Sequence, residues 1–346
     1  MYLKRNSEQE FLINLGDITF NFGKLGINKI THPLGFTHSE SHTIATDWPS
    51  PYQAGTVSNG TPDNNHAAVS GNHGTEGAGQ WATANSESTS IKIGGVEVLE
   101  DGSGRTFKKA EMTTVNYVTN KANINLSTGE RSQVDCIETV KYTFEHNHMQ
   151  VEVELEALED FYINWYMGLQ LTRGGWNHDA YFNHDLAQTE LYIQDDRILN
   201  SGTKTESPDM QRVTMRNEHG DAIHIRTDKD YGIGYSKIRD NDPIAYLREN
   251  NQKFYFHLVK NGNQLIVPKG EKVSYRGSYI FGKNKAVNAT NVTYFTENGI
   301  KKAYVDFKVI ATENIEFTSV EESFNCTIET NSITSTAPNA YAKLVI

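Results

Sequence analysis

A chain of 346 residues, 37% of them hydrophobic, can bury a sizeable core as one large domain or two smaller ones. Its net charge of −11 argues against nucleic acid and anionic membrane as partners, since both attract basic surface. No run approaches the roughly 20 apolar residues of a membrane helix, and the start, MYLKRNSEQEFLINL, lacks the apolar stretch of a secretory signal. The expectation is a protein that stays in the cytoplasm, or leaves the cell by a route such as the lysis that frees virus particles.

Two short strands are expected first, near Phe11–Leu15 and Ile18–Phe22, with a turn at Asp17. A loop-rich stretch follows over 31–88. Its heart, Thr31 to Trp81, holds five of the twelve histidines: His32, His38, His42, His66 and His73. It shows no sustained strand or helix period and is crowded with Gly, Pro, Ser, Thr and Asn. A loop this long is functional or disordered, and Trp48 and Trp81 favour function, since disordered segments are poor in aromatics.

From Thr89 the pattern becomes strands separated by turns. Gly94-Gly95 joins Ser90–Ile93 to Val96–Leu99 as a hairpin, and Ala110–Val118 follows. Val134–Glu145 and Met149–Ala157 are linked by a turn at His146-Asn147-His148. In the second of these, Met149, Val151, Val153, Leu155 and Ala157 alternate with Gln and Glu, which predicts one buried and one wet face. Phe161–Leu171 reads as a strand buried on both faces. An aromatic-rich interruption, Gly174 to Glu190, precedes strands at Leu191–Gln194, Arg212–Met215, Ala222–Arg226, Gly232–Lys237, Lys253–Val259, Lys272–Phe281, Val292–Phe295, Lys302–Ile310 and Ile315–Ser319. Asn261-Gly262 and Asn298-Gly299 are hairpin dipeptides. No window has a helical period. The prediction is all-β: a large antiparallel β-sandwich, 1–286, with C-terminal strands, 287–346, that belong to it or form a small subdomain. Cys136 and Cys326 lie far apart without metal-type spacing, and are expected to be two reduced, buried thiols, with one disulfide as the alternative.

Three constellations have the residue types for chemistry. In Ser70-Gly71-Asn72-His73-Gly74-Thr75-Glu76, the letters S-G-N-H spell a hydrolase name by coincidence, because that family draws those residues from separate blocks, and the G-x-S-x-G elbow is absent. What remains is a His beside an Asn, framed by glycines that allow close backbone approach. His73 could be a general base and Asn72 could neutralise a carboxylate, which suits proton abstraction alpha to a uronate carboxyl. The plain alternative is a turn capped by His73. In Trp176-Asn177-His178-Asp179-Ala180-Tyr181-Phe182-Asn183-His184-Asp185, two His-Asp pairs could hold a metal or a base, while Trp176 and Tyr181 could stack on sugar; the alternative is a loop packed over a sheet edge. In Thr46-Asp47-Trp48-Pro49-Ser50-Pro51-Tyr52, preceded by His38 and His42, the prolines would present Trp48 and Tyr52 to a sugar ring, unless Trp48 plugs the core. His42 and Glu76 complete the expected substrate surface. No cofactor is expected; calcium on the acidic turns Asp228/Asp230 or Asp240/Asp242 is the alternative, and neither has a complete loop signature.

Thr46–Tyr52, Gly71–Gly74, Val151–Gln170 and Lys269–Phe281 together resemble a group of β-rich bacteriophage and prophage proteins associated with tails and host-surface polysaccharide. The resemblance implies a virion or tail location, a polysaccharide partner and, for a tail protein, a homotrimer. Asn177-His178 and Tyr181-Phe182-Asn183 are similar to the Asn-His-x-Tyr-Phe-Asn motif of the galactose-mutarotase-like supersandwich, with two residues between the halves instead of one. That likeness implies a catalytic role for His178, and the same shape also serves polysaccharide lyases. The expected functions are a polysaccharide lyase (His73 as base, Asn72 as neutraliser, Trp48 and Tyr52 at subsites), a non-catalytic receptor-binding module, and a mutarotase-like enzyme.

Overall fold

The computed structural model describes residues 1–7, 10–16, 18–23, 26–31, 37–39, 50, 52–58, 61–62, 68–69, 81–172, 179–183, 189–192, 199–216, 221–248, 253–260, 263–283 and 290–346. Among them the protein is all-β. It contains antiparallel sheets and, besides strands, one short 3-10 turn at Lys121–Asn123. No helix among the described residues is long and apolar enough to cross a membrane.

A ten-stranded sheet organises the molecule. Half of it is local, Val96–Glu97, Ala84–Ile93, Ala110–Val118, Cys136–Glu145 and His148–Ala157, each strand pairing with the next in that order. Lys272–Lys283 then pairs with His148–Ala157, and Asp221–Thr227, Arg212–Arg216, Asp179–Asn183 and Thr189–Tyr192 complete the far side. Period-2 alternation gives this sheet two different faces. Met149, Val151, Val153, Leu155 and Ala157 are buried on the inner one, and each of the first four contributes roughly 1.5–3 kcal/mol. Gln150, Glu152, Glu154 and Glu156 point the other way and stay partly exposed.

Smaller sheets share the inner face. The N-terminal strands set Phe22 against Tyr142 and Phe144, with ring centroids 5.7 Å apart in each pair, and Phe20 against Phe281 at 5.2 Å. The sheet containing Phe161–Tyr166 and Tyr52–Ser58 sets Tyr166 against Tyr275 at 5.3 Å. The strands from Asn291 onward form two further sheets, of four and three strands, around their own cluster of Val305, Phe307, Ile333, Ala342 and Leu344. They meet the main sheet's outer face through a largely polar seam: Arg212 grips Asp306 (3.2 and 2.7 Å), Arg226 grips Glu322 (2.9 Å), and His224 Nε2 lies 3.0 Å from Thr293 Oγ1.

The turn dipeptides behave as their chemistry requires. Gly94 and Gly95 (φ 58° and 82°), Asn147 (φ 54°), and Asn298 and Gly299 (φ 54° and 77°) occupy the left-handed region in hairpin turns; Asn261-Gly262 lies outside the described residues. Three expected strands differ. Phe161–Leu171 is broken at Gly168 (φ 56°), so Phe161–Tyr166 and Gln170–Thr172 join different sheets. Gly232–Lys237 is a run of turns, because Gly232 and Gly234 both take positive φ (62° and 43°). Ile315 is buried in irregular chain, and the strand that follows is Ser319–Phe324. The loop-rich stretch in turn contains strands, Thr37–Ser39, Tyr52–Ser58, Thr61–Pro62 and Ala68–Val69, whose short length hides their period.

Candidate functional site

The His-rich stretch is built into the fold near its middle and at its C-terminal end. Near the middle, Tyr52–Ser58 pairs with Phe161–Tyr166 on one side and with Ala68–Val69 on the other. Ser50, just ahead of that strand, is fully buried. Its hydroxyl donates to the Glu138 carboxylate (2.8 Å) and lies 3.1 Å from the Tyr166 hydroxyl, while Asn116 Nδ2 donates to the other carboxylate oxygen (3.1 Å). At the C-terminal end, Trp81 Nε1 donates to the Leu126 carbonyl (3.1 Å), its ring lies against Gly129, and Arg131 donates to the Ala82 carbonyl (2.6 Å).

Glu138 is the residue that sequence reasoning missed. It is fully buried, and it sits among inward-facing apolar side chains of Cys136–Glu145, in line with Cys136, Val140, Tyr142 and Phe144. An acid at an inward position of an alternating strand was a readable signal, because a buried carboxylate needs partners. Its charge is felt around it. Burial first, then Glu138, pushes the Tyr142 and Tyr166 hydroxyls well above their ordinary range. Burial and then Glu138 likewise raise the Cys136 thiol, which therefore stays protonated and unreactive. Cys326, half-buried and pushed up to about 11 by burial, is also a free thiol.

Tyr52 corrects an expectation. Its ring is fully buried, 5.5 Å from the Tyr166 ring, and its hydroxyl faces the Cys136 thiol. It holds the strand to the core and presents no face to a sugar. Trp48, His42, Asn72, His73, Glu76, Trp176 and His178 lie outside the described residues. Asp179–Asn183, which contains Tyr181, forms a strand of the main sheet, with Tyr181 in register with Thr214 and Glu190, where a loop was expected.

Other histidines are architectural. His224 is held down to about 3 by burial and then by Arg212, and its Nδ1 lies 2.8 Å from Thr214 Oγ1. His257 is held to about 3 by burial. His148 lies 2.9 Å from the Thr296 carbonyl and 3.0 Å from Ser278 Oγ. The acidic turns face cations of the chain itself: Asp228 meets Arg276, Asp230 meets Lys229, and Asp242 meets both Arg239 and Lys260. Among the described residues no three His, Cys, Asp or Glu gather as a metal site.

No family model matches the chain, and no curated protein matches it. Solved structures similar to it include glycoside hydrolases. The GH36 alpha-galactosidase AgaB from Geobacillus stearothermophilus is 8% identical, with a TM-score of 0.46 over 82% of this chain and 41% of that one. The alpha-galactosidase from Lactobacillus brevis is 8% identical, with a TM-score of 0.42 over 81% and 40%. A glycoside hydrolase family 97 enzyme from Pseudoalteromonas sp. strain K8 is 8% identical, with a TM-score of 0.39 over 82% and 35%. The chain thus spans about two-fifths of the length of these proteins.

Proposed function

We propose that the protein recognises a bacterial surface or uronate-containing polysaccharide through the His-rich stretch and cleaves it by β-elimination. The observation that supports this reading is the anchoring of that stretch. A buried carboxylate, Glu138, binds Ser50 two residues ahead of Tyr52–Ser58, and that strand in turn carries Ala68–Val69. A segment rich in imidazole and amide groups is thereby tied to a rigid sheet, as catalytic loops require. In this reading His73 removes the proton alpha to the uronate carboxyl, the bond from the β carbon to the glycosidic oxygen breaks as the carbon–carbon double bond forms, the departing oxygen takes a proton from water, Asn72 neutralises the carboxyl, and Trp48 stacks on a neighbouring sugar. The setting is a phage or prophage tail that meets the host surface.

The purified protein is incubated with uronate-containing and bacterial surface polysaccharides, and the ultraviolet absorbance of new carbon–carbon double bonds is followed together with polymer size. Rising absorbance with shrinking chains is expected. His73→Ala lowers that rate by at least about a hundredfold, the scale of a lost general base. Shrinkage without absorbance means hydrolysis and overturns the elimination step. Saturable binding with unchanged chains makes the protein a non-catalytic receptor-binding module.

A further inference from the structure

A cleft lies on the outer face of the main sheet. Gln150, Ser278 and Arg226 sit side by side on three neighbouring strands, Gln150 in register with Ser278 and Ser278 with Arg226. They alternate with the inward residues Met149, Tyr279 and Ile225, so they floor a cleft on the outer face, away from Glu138. Glu297 and Asn298, in the hairpin turn of the C-terminal sheet, form its wall, and Asp228 and Arg276 close its end. The cleft encloses about 210 Å³.

Its charges are already balanced. Asp228 pairs with Arg276, Arg226 with Glu322, and Glu297 with Lys302 and Lys343 at 2.6 and 3.0 Å, two lysines that Glu321 also pairs, so four carboxylates meet four cations. The Arg276 guanidinium is further steadied over the Tyr231 ring, 4.3 Å from its centroid. With neither charge in surplus, the cleft has no strong pull on a free anion or a metal ion. It offers instead donors and acceptors in close mixture: the Gln150 and Asn298 carboxamides bring one of each kind, Ser278 a hydroxyl, and Asp228 and Glu297 acceptors. Hydroxyl groups, which donate and accept at once, are the chemistry that satisfies such a lining.

We propose that this cleft binds one uncharged, hydroxyl-rich ring, a single sugar unit, independently of the His-rich stretch. The test uses the full chain and neutral monosaccharides (glucose, galactose, N-acetylglucosamine), with glucuronate and inorganic phosphate as charged probes, read by ligand-observed NMR and calorimetry. Saturable millimolar binding of at least one neutral sugar is expected. Gln150→Met and Asn298→Gly each weaken it by roughly tenfold, the effect of losing one or two hydrogen bonds. Glycine keeps the positive φ of the turn, so the second variant folds even if the first is damaged. No binding of any neutral sugar, preference for phosphate or glucuronate, or binding unchanged in both variants overturns the proposal. His73→Ala leaves this binding intact, which separates the fate of this site from that of the elimination reading.

Discussion

Glu138 shows how one side chain can organise a segment distant in sequence. Its two oxygens take hydrogen bonds from Ser50 and Asn116, residues 88 and 22 positions away. Truncation to alanine would take the carboxylate acceptor from the buried Asn116 amide and leave Ser50 only the Tyr166 hydroxyl beside it, and an unmade buried hydrogen bond costs the full desolvation of its donor. Glu138→Ala is therefore expected to destabilise the protein by about 3 kcal/mol, and Glu138→Gln, which keeps one carbonyl acceptor, by less. Urea unfolding of the three proteins measures this, and equal stability would mean that the carboxylate holds nothing. If the His-rich stretch depends on this anchor, Glu138→Gln also lowers depolymerisation at temperatures where the fold is intact. The acid was legible in its strand's alternation. Its partner Ser50 was not, since nothing local in Trp-Pro-Ser-Pro-Tyr says that the serine turns inward.

At the scale of elements, glycine decided where strands stop. A Cβ at Gly168 would lie 2.4 Å from the Phe256 carbonyl oxygen, whereas one at Gly94 would meet nothing within 4 Å. Both residues have positive φ. Gly94→Ala is thus expected to cost only the backbone strain, about 1 kcal/mol, and Gly168→Ala clearly more, about 3 kcal/mol, because the chain must also move. Comparable chemical denaturation midpoints for the two variants would contradict the close approach. These positions also explain which elements the sequence showed. Long strands such as Met149 to Ala157 alternate over enough residues to reveal their period. Phe161 to Leu171 reads as one apolar run, because its break rests on a single backbone angle. Pairs as short as Ala68–Val69 have no period to read, and their existence depends on tertiary pairing with Tyr52–Ser58.

For the whole molecule, the polar seam and the buried histidines make stability depend on pH. Burial alone would raise the Glu297 carboxyl, but Lys343 and Lys302 outweigh it and hold it to about 2. A carboxylate lowered on folding stabilises the native state above its unfolded value near 4.3, and that stabilisation is lost as pH falls toward 2. It is on the order of 3 kcal/mol for Glu297. Asp306, lowered by Arg212 against the opposing effect of burial, acts in the same direction. His224 and His257, held to about 3, remain neutral when folded but charge in the unfolded chain below about 6.5, so each favours unfolding from there down to about 3. Melting temperature should therefore begin to fall below about pH 6.5 and drop more steeply below about 4.5. Glu297→Gln should flatten the lower part of that curve. A melting temperature constant from neutral pH to about 3 would exclude both contributions.

The main sheet also sets an order of assembly. Ala84 to Ala157 is a meander of neighbours, so it can zip up from local contacts, but its last strand, His148–Ala157, must wait for Lys272–Lys283, whose first residue comes 115 positions after Ala157 (272 minus 157). At roughly 5–20 residues per second of synthesis, that strand spends on the order of ten seconds as a bare edge on the nascent chain. Bare edges recruit other chains. Three glutamates, Glu152, Glu154 and Glu156, line one face of this one, and their mutual repulsion between copies guards the half-made sheet until Arg276, Ser274 and Lys272 arrive opposite them.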